Sequence, residues 1–257
     1  MILDSTPVHR GDPAPMALAG KLICSITLLL ALGIACGSDP TPTVILEETT
    51  LTAREVMGLA AKGFESLLYF HFEMTHEGGG TPIALGLEMD RGEGDIAAPD
   101  RMKATIQAQV RGLFLEVSAI TIGDDTYITN PFTGEYEKLT NGITGGGFFD
   151  PAKGISAIIR EAIGPTFLPD DTLDGTPVYH LTGSVRSEDL RSISPDATEG
   201  FMLGAEIWIG KEDFLIRKLV LEGRITQDEK ENITRTILVS GFDEPVTIDA
   251  PVIADEP

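Results

Sequence analysis

The side chains that could do catalytic or metal chemistry in this sequence are a few histidines and serines. His71 and His76 lie five residues apart in a segment of alternating apolar residues, so on a strand they would face opposite sides and could not chelate one metal ion. Ser156 lies in residues 154–158, which lack the final glycine of a nucleophile elbow and follow a helical pattern. His180 lies in a predicted strand, where we expect it to be packed or half-exposed. These residues predict no catalytic site and no cofactor, and the chain is not expected to be an enzyme.

Acidic clusters are the second group of side chains with possible chemistry, because carboxylates are calcium ligands. The clusters lie at residues 124–125, 170–174 and 228–229. None has the spacing of an EF-hand loop. We interpret them as solvated acidic turns and expect no metal site.

A different chemistry is indicated near the start of the chain. Lys21 is followed by a run of about fourteen mostly apolar residues, 22–35, that ends in small residues directly before Cys36. One basic residue, a short apolar run and a small-residue end are typical of a secretory signal, and the run is shorter than the roughly 20 residues that a membrane span needs. We therefore expect residues 1–35 to be a signal peptide that is removed, with Met16 as the true start.

The cysteine at this boundary predicts lipidation. Residues 32–36, LGIAC, resemble a bacterial lipobox, in which the cysteine thiol is acylated and becomes the new N-terminus. Lipoboxes usually have leucine three residues before the cysteine, whereas here Gly33 holds that place and Leu32 precedes it. The alternative is an ordinary signal peptide that happens to contain a cysteine. Since a polar, flexible segment follows Cys36, we expect a lipidated cysteine and tether over 36–50 and a folded domain over 51–257.

Charge and cysteine content limit the partners of the exported protein. The chain has 40 acidic against 19 basic residues, a formal net charge of −21. Nucleic acid is excluded as a partner, because phosphate binding depends on Lys and Arg. Anionic lipid would repel the protein, so membrane attachment requires a covalent anchor. With Cys24 in the signal and Cys36 acylated, the mature monomer has no disulfide, and its stability must come from its core.

The apolar pattern of the mature chain predicts two helices and many strands. Thr52 and Glu55 have the spacing of a capping box before the first helical pattern. A second helix is predicted from Asp150–Pro151 to Ile163, ended by Gly164–Pro165, and a short helical piece at 187–191. Segments with a period of two predict strands at 68–75, 83–90, 94–98, 101–110, 113–122, 126–130, 176–185, 201–209, 214–222 and 232–240.

Short connections make these strands pair antiparallel, so the fold class is α+β with one sheet of about ten strands. Sheets of this size tend to curl. One face is apolar and must be covered, and the two helices offer few large side chains for that purpose. Such thin coverage favours room for a ligand, and the alternative is that helices and sheet simply pack as a core.

Three segments of the C-terminal part contain recognisable sequence motifs. Residues 175–183 resemble the G-x-x-x-x-H-L-x-G strand of the LppX/LprA/LprF/LprG family of bacterial envelope lipoproteins. Residues 205–219 resemble its hairpin with a Trp-Ile pair, and residues 240–251 its closing P-V-x-I segment. The similarity covers roughly residues 44–251.

The resemblance implies a strongly curved antiparallel sheet, a half-open barrel related to the LolA/LolB carriers, with helices over the concave face and a hydrophobic cavity between them. Members of the family are thought to carry long-chain lipids or acylated glycolipids from the membrane into the envelope. Nine apolar residues are expected to line the cavity unless they only pack as core: Leu68, Phe70, Phe72, Met74, Met102, Ile106, Ile155, Ile158 and Ile159.

Three functions follow from this reading. The first is a lipid carrier anchored through acylated Cys36 on the extracytoplasmic side of the cell membrane, with a long-chain lipid or glycolipid as ligand and an envelope protein as a further candidate partner. The second is a surface-tethered sensor or interaction module on the same fold. The third is a hydrolase, for which Ser156 and Ser184 are the candidate nucleophiles.

Overall fold

The first helix begins where the capping box predicts. The computed structural model describes residues 50–83, 86–139, 154–192 and 194–253, which belong to one compact unit, residues 49–257. Helix α1 (Ala53–Ser66) is capped by Thr52, whose hydroxyl accepts from the backbone N–H of Glu55 at 3.2 Å. The Glu55 carboxylate in turn accepts from the backbone N–H of Thr52 at 2.8 Å. The predicted capping box is thus confirmed.

Thirteen strands, a second helix and one 3-10 turn follow α1 in the described residues. The strands are β1 (Tyr69–Glu77), β2 (Thr81–Ile83), β3 (Leu87–Ala97), β4 (Arg101–Val110), β5 (Leu113–Ile122), β6 (Asp125–Thr129), β7 (Tyr136–Leu139), β8 (Ile163–Phe167), β9 (Asp171–Leu173), β10 (Thr176–Arg186), β11 (Met202–Gly210), β12 (Ile216–Glu222) and β13 (Thr234–Ser240). Helix α2 spans Ile155–Glu161, and the 3-10 turn spans Ser187–Leu190.

All of these strands form one sheet with antiparallel pairing. Its order is β7-β6-β5-β4-β3-β1-β13-β12-β11-β10-β8, with β2 added on β3 and β9 on β10. Strands β1 to β7 wind outward from the middle, and β10 to β13 wind back to it, so that β13 pairs with β1. The predicted fold class, a curved open antiparallel sheet with helices on one face, is confirmed, although the strands are more numerous than the ten expected.

The strongest local patterns give the right strand bounds. Strands β4 and β5 have the predicted limits and are joined by Arg111 and Gly112, which have φ of 50° and 81°. Positive φ at both positions of a two-residue connection is the geometry that matches the twist of paired strands. We call the end of the sheet at which this turn lies the hairpin end.

Two predicted boundaries are wrong. The sequence prediction splits a strand at Arg91–Gly92, but β3 runs through both residues and shifts its register against β4 between Met89 and Arg91. Glycine in a strand here accompanies a bulge rather than a turn. The second helix ends at Glu161 rather than Ile163, and the chain continues directly into β8. Its predicted cap at 150–151 lies outside the described residues.

The main core lies between α1, α2 and the middle of the sheet. Its buried side chains come from both helices and from β1, β3, β10, β11 and β12: they include Val56, Ala60, Phe64, Phe70, Ile96, Ile159, Leu181, Ile207, Ile209 and Ile216. The ring of Phe64 in α1 meets that of Phe70 in β1 edge to face at 5.3 Å. Among the described residues, no helix is both long and apolar enough to cross a bilayer.

Candidate functional site

A continuous line of apolar positions crosses the helix-covered face of the sheet. Residues directly opposite each other in paired strands point to the same face, so the register connects one position from each of nine strands. In order from β8 to β5 these are Phe167, Leu181, Ile207, Leu219, Ile237, Met74, Gly92, Ile106 and Val117. We call this line the apolar row. It contains no polar side chain.

Next to the apolar row, the face carries unusually small residues. Phe72 of β1 is opposite Gly94 of β3, which is opposite Ala104 of β4 and then Ala119 of β5. A Cβ added at Gly94 would clash with the carbonyl oxygen of Lys103, so only glycine permits this close approach of β3 and β4.

Gly92 differs from Gly94. It is buried, yet a Cβ added there would meet, among the described residues, only the sulfur of Met89, at 3.3 Å. Two glycines at alternate positions of β3 therefore leave this part of the face with little side-chain volume.

Five of the nine residues predicted to line a cavity meet in the main core. Phe70 and Ile159 are buried in it, with 4% and 6% of their surface exposed, and Phe72, Met102 and Ile155 pack against it. All five lie under or on the helices, where the sequence pattern places them.

Three more predicted residues lie elsewhere on the same layer. Met74 belongs to the apolar row. Ile106 packs against a second cluster of buried residues formed by Leu87, Ala108, Val117 and Ile128. Ile158 packs against a third, formed by Val185, Leu190, Ala197, Leu203, Leu221 and Ile225. The predicted set is thus distributed along the face instead of surrounding one point.

Leu68 is a correction, because its side chain is 59% exposed. Strand β1 starts one residue after Leu68, at Tyr69, so the inward-facing residues of the predicted alternation begin at Phe70, and Leu67 is the buried residue before the strand, with 4% exposure. The backbone of Leu68 is held on both sides, since its N–H donates to Asp243 Oδ1 and its carbonyl accepts from the N–H of Ala98, each at 2.8 Å. Leu68 therefore lies outside the apolar layer.

The sequence analysis missed the half of the apolar row that comes from the returning strands. Leu181, Ile207, Leu219 and Ile237 lie opposite one another in β10 to β13. Alternation within each strand is visible in the sequence, but the register that aligns them is not. The pairing of β13 with β1 joins the two halves.

A buried ion pair lies beside the apolar layer toward the hairpin end. Arg235 of β13 is opposite His76 of β1, and so faces the same side as Ile237. Its Nη2 lies 2.6 Å from Oε1 of Glu229, and the two side chains are 3% and 0% exposed. This contact is an ion pair, and in the described residues neither of the two atoms makes a hydrogen bond.

The remaining polar atoms of the pair are used to fasten neighbouring loops. Arg235 Nε donates to Thr81 Oγ1 at 2.9 Å and its Nη1 to the carbonyl of Gly223 at 2.8 Å. The other carboxylate oxygen of Glu229 accepts from the backbone N–H of Ile225 at 2.6 Å. The prediction that residues 228–229 form a solvated acidic turn is therefore wrong for Glu229.

His76 completes this network as a neutral side chain. Its Nδ1 is 3.1 Å from the carbonyl oxygen of Asp90, which can only accept, so Nδ1 carries the hydrogen. Its Nε2 is 2.8 Å from Thr81 Oγ1, which already accepts from Arg235 and is free to donate to the imidazole. Burial lowers the pKa of His76, and the nearby charge of Arg235 acts in the same direction.

The opposite face of the sheet carries an aromatic stack around Trp208. Trp208 lies between its strand neighbours His180 and Lys218, with ring centroids 4.1 Å apart on one side and the Lys218 Nζ 4.3 Å from the indole on the other. Its Nε1 donates to Asp171 at 3.0 Å, and this bond lowers the pKa of the Asp171 carboxyl. His180 also contacts Glu206 at 2.9 Å. The expected packed state of His180 is confirmed.

In the part of the chain that the structure describes, no group of three or more His, Cys, Asp or Glu side chains is close enough together to hold a metal ion. Cys36, the predicted lipidation site, and the segment 140–153 lie outside the described residues.

Comparisons with known proteins agree on one family. The profile of the family described as LppX_LprAFG lipoprotein matches residues 53–248. Among curated proteins, no sequence matches. LprF from Mycobacterium bovis superposes with a TM-score of 0.61 at 18% identity, over 77% of this chain and 96% of that chain. The lipoprotein LppX from Mycobacterium tuberculosis has a TM-score of 0.56 at 14% identity, over 77% and 98%. At these identities the structural likeness shows the fold.

Proposed function

Because the chain belongs to the LppX_LprAFG lipoprotein family, we propose that it is a membrane-anchored lipoprotein that takes up the acyl chain of a lipid or glycolipid on its helix-covered face and carries it between membrane and cell envelope. Lipid binding is the function that the family and the fold support. The carriage of the lipid from one site to another, its cargo and the acylation of Cys36 are parts of the proposal.

The observation that carries this proposal is the apolar row. Leu181, Ile207 and Val117 are buried in packed clusters, and the five positions between them, from Leu219 to Ile106, cover four strand spacings of about 4.8 Å, a path of roughly 19 Å. One leaflet of a bilayer has about 15 Å of hydrocarbon, and the path is therefore long enough for an acyl chain. Each methylene moved from water to such a surface contributes about 0.8 kcal/mol, so binding needs no polar contact with the chain.

Substitution of Gly92 gives the most direct test of this proposal. It is the one position of the apolar row without a side chain, between Met74 and Ile106. A larger residue at this place would project from the sheet into the layer between sheet and helices. We assign Gly92 the role of keeping space for the ligand.

The side chains that enzymes use are committed to packing, which favours a carrier. Ser156 is 3% exposed in the first turn of α2, and His180 is stacked on Trp208. Glu206 contacts His180 at 2.9 Å on the face of the sheet opposite to α2, so Ser156 and His180 do not form a nucleophile–base pair. We therefore propose a non-enzymatic function.

Anchoring is proposed through acylated Cys36, on the extracytoplasmic side of the cell membrane. Mass spectrometry of the N-terminal peptide tests this, because acylation adds the mass of the lipid to the peptide that begins at Cys36. In the Cys36→Ala variant we expect the protein to leave the membrane fraction.

The central experiment uses the domain from Gly37 onward, purified without detergent. Extraction with organic solvent and mass spectrometry should yield acyl lipid in stoichiometric amount, and the domain should bind a fluorescent fatty acyl probe. Gly92→Leu is expected to weaken probe binding. Gly204→Leu is the matched control, since Gly204 lies in a strand on the opposite face, where a Cβ would meet nothing closer than 3.9 Å.

An empty extract together with no uptake of the probe would refute the carrier. The same fold would then have to act as the tethered recognition module. Equal probe binding by both glycine variants would place the ligand away from the apolar row.

A further inference from the structure

Three large apolar side chains are exposed beside two turns that project toward the hairpin end of the sheet. Leu113 and Phe114, the first residues of β5, are 59% and 79% exposed. Phe132, in the turn between β6 and β7, is 81% exposed. Because β6 runs antiparallel to β5, the turn after β6 projects toward the hairpin end, although β6 itself ends beside the middle of β5, where Ile128 pairs with Ala119. We call these three residues the apolar tip.

The two residues of β5 point in opposite directions. Adjacent residues of a strand face opposite sides of its sheet, so Leu113 shares the face of Leu115 and Val117, whereas Phe114 shares the face of Glu116. Within the described residues, the side chains of Leu113 and Phe114 therefore stay exposed on opposite sides of the hairpin. A pocket on a protein partner would receive one face of such a hairpin. A bilayer, in contrast, surrounds both faces of the hairpin.

Phe132 is held outward by an ordered turn. The side-chain oxygen of Asn130 accepts from the backbone N–H groups of Phe132 at 3.0 Å and Thr133 at 3.3 Å. The N–H of Gly134 donates to the carbonyl of Asn130, and the N–H of Asn130 to that of Glu135, each at 2.8 Å. The exposure of Phe132 is therefore built into the turn, which gives the side chain no apolar neighbour to fold onto.

Charge at the apolar tip differs from that of the whole protein. Residues 110–115 and 131–134 contain one charged side chain, Arg111, although the chain as a whole has a net charge of −21. An apolar tip with a single cation suits a lipid surface, because the side chains enter the hydrocarbon boundary and a guanidinium meets the phosphate of a headgroup.

The chain also enters the domain toward the hairpin end. Arg54, in the first turn of α1, donates through Nη1 to the carbonyl of Arg160 at 2.8 Å. Three residues further on, Ile163 pairs with Ser184, near the end of β10 that lies at the hairpin end. From Cys36 to Thr50 the tether has 14 peptide steps, which span up to about 50 Å when extended. If Cys36 is the anchor proposed above, the tether lets this end reach the bilayer.

From these observations we propose that the apolar tip is a membrane-contact site, at which Leu113, Phe114 and Phe132 enter the interface of a phospholipid bilayer. The site is separate from the apolar row. It docks the hairpin end on the membrane, whatever ligand the helix-covered face holds.

Substitution of single residues by tryptophan provides a test that does not depend on cargo or on acylation. The domain from Cys36 onward has one thiol, which can be coupled to a maleimide lipid in phosphatidylcholine vesicles, and one tryptophan, Trp208, which is 7% exposed. Phe114→Trp and Phe132→Trp each place a reporter in the apolar tip. With brominated acyl chains in the vesicles we expect both to lose emission, and with unbrominated chains both to shift to the blue.

Leu68→Trp is the matched control, since Leu68 has the same 59% exposure as Leu113 but lies at the opposite end of the sheet. The emission of the Leu68→Trp variant in brominated vesicles should equal its emission in unbrominated vesicles. The proposal is overturned if the tip tryptophans are quenched no more than the one at position 68, whether because none is quenched or because all are. Lipid found or missing in the purified domain bears on the carrier function alone.

Discussion

The guanidinium of Arg235 lies 2.6 Å from the carboxylate of Glu229, and both side chains are almost completely withdrawn from solvent. Among the described residues on this face of the sheet, Arg235 is the only charged side chain that is less than 9% exposed, and it lies beside the apolar row. Through Thr81, Gly223 and Ile225 the pair ties β2 and the loop between β12 and β13 to the edge of the apolar layer.

Breaking this pair should destabilise the domain strongly. Glu229→Ala leaves the Arg235 charge buried without a counter-charge, and we expect a loss of about 3–5 kcal/mol in the free energy of unfolding. Urea denaturation measures it. Glu73→Ala removes the partner of Arg91 in a pair that is 41% and 43% exposed, and there we expect less than about 1 kcal/mol. Similar losses in both variants would contradict the burial of the Arg235 pair.

The stability of the domain should fall between pH 7 and pH 5 because of His76. Burial lowers the pKa of His76 in the folded state below the value of 6.5 that it has in an unfolded chain. Below that value the unfolded state therefore binds the proton more readily, and stability declines as the pH falls. His76→Gln should flatten the dependence in this window.

Gly94 and Gly92 should respond differently to one added methyl group. In Gly94→Ala the Cβ clashes with the carbonyl of Lys103, a backbone atom that cannot yield without bending β4, so we expect a loss of about 1–3 kcal/mol. In Gly92→Ala the only close neighbour in the described part of the chain is the flexible Met89 side chain. Thermal unfolding should separate the two variants. If Gly92→Ala were the more damaging, the layer above β3 would be filled.

Leu67 and Leu68 provide the simplest test of where the apolar layer begins. Leu67→Ala removes a side chain that is 4% exposed and should cost about 2–5 kcal/mol. Leu68→Ala removes one that is 59% exposed and should cost less than about 0.5 kcal/mol. The reverse order, measured by chemical denaturation, would support the alternation that the sequence predicts from Leu68.

Local signals in the sequence predict local structure well. The capping box of Thr52 and Glu55 predicts the start of α1, and the polar turn at Arg111–Gly112 predicts the limits of β4 and β5. Each depends on residues that are neighbours in the chain.

The composition of the candidate site was less predictable, because the site depends on pairing between distant segments. Nothing in residues 234–240 identifies β1 as their partner, and without that pairing neither the apolar row nor the burial of Arg235 can be seen. Glu229 has the sequence context of a surface turn. Only the register that brings Arg235 to it explains why the carboxylate is buried.

The pairing of β1 with β13 also has a consequence for how the domain folds. The hairpins on either side of this seam close over short loops, whereas the seam joins residues 71–77 to residues 234–240, about 160 positions away. Until the last strand arrives, each half exposes an unpaired edge and an uncovered apolar surface. We therefore expect slow folding with a late step at the seam, during which the uncovered surfaces of both halves are prone to aggregation.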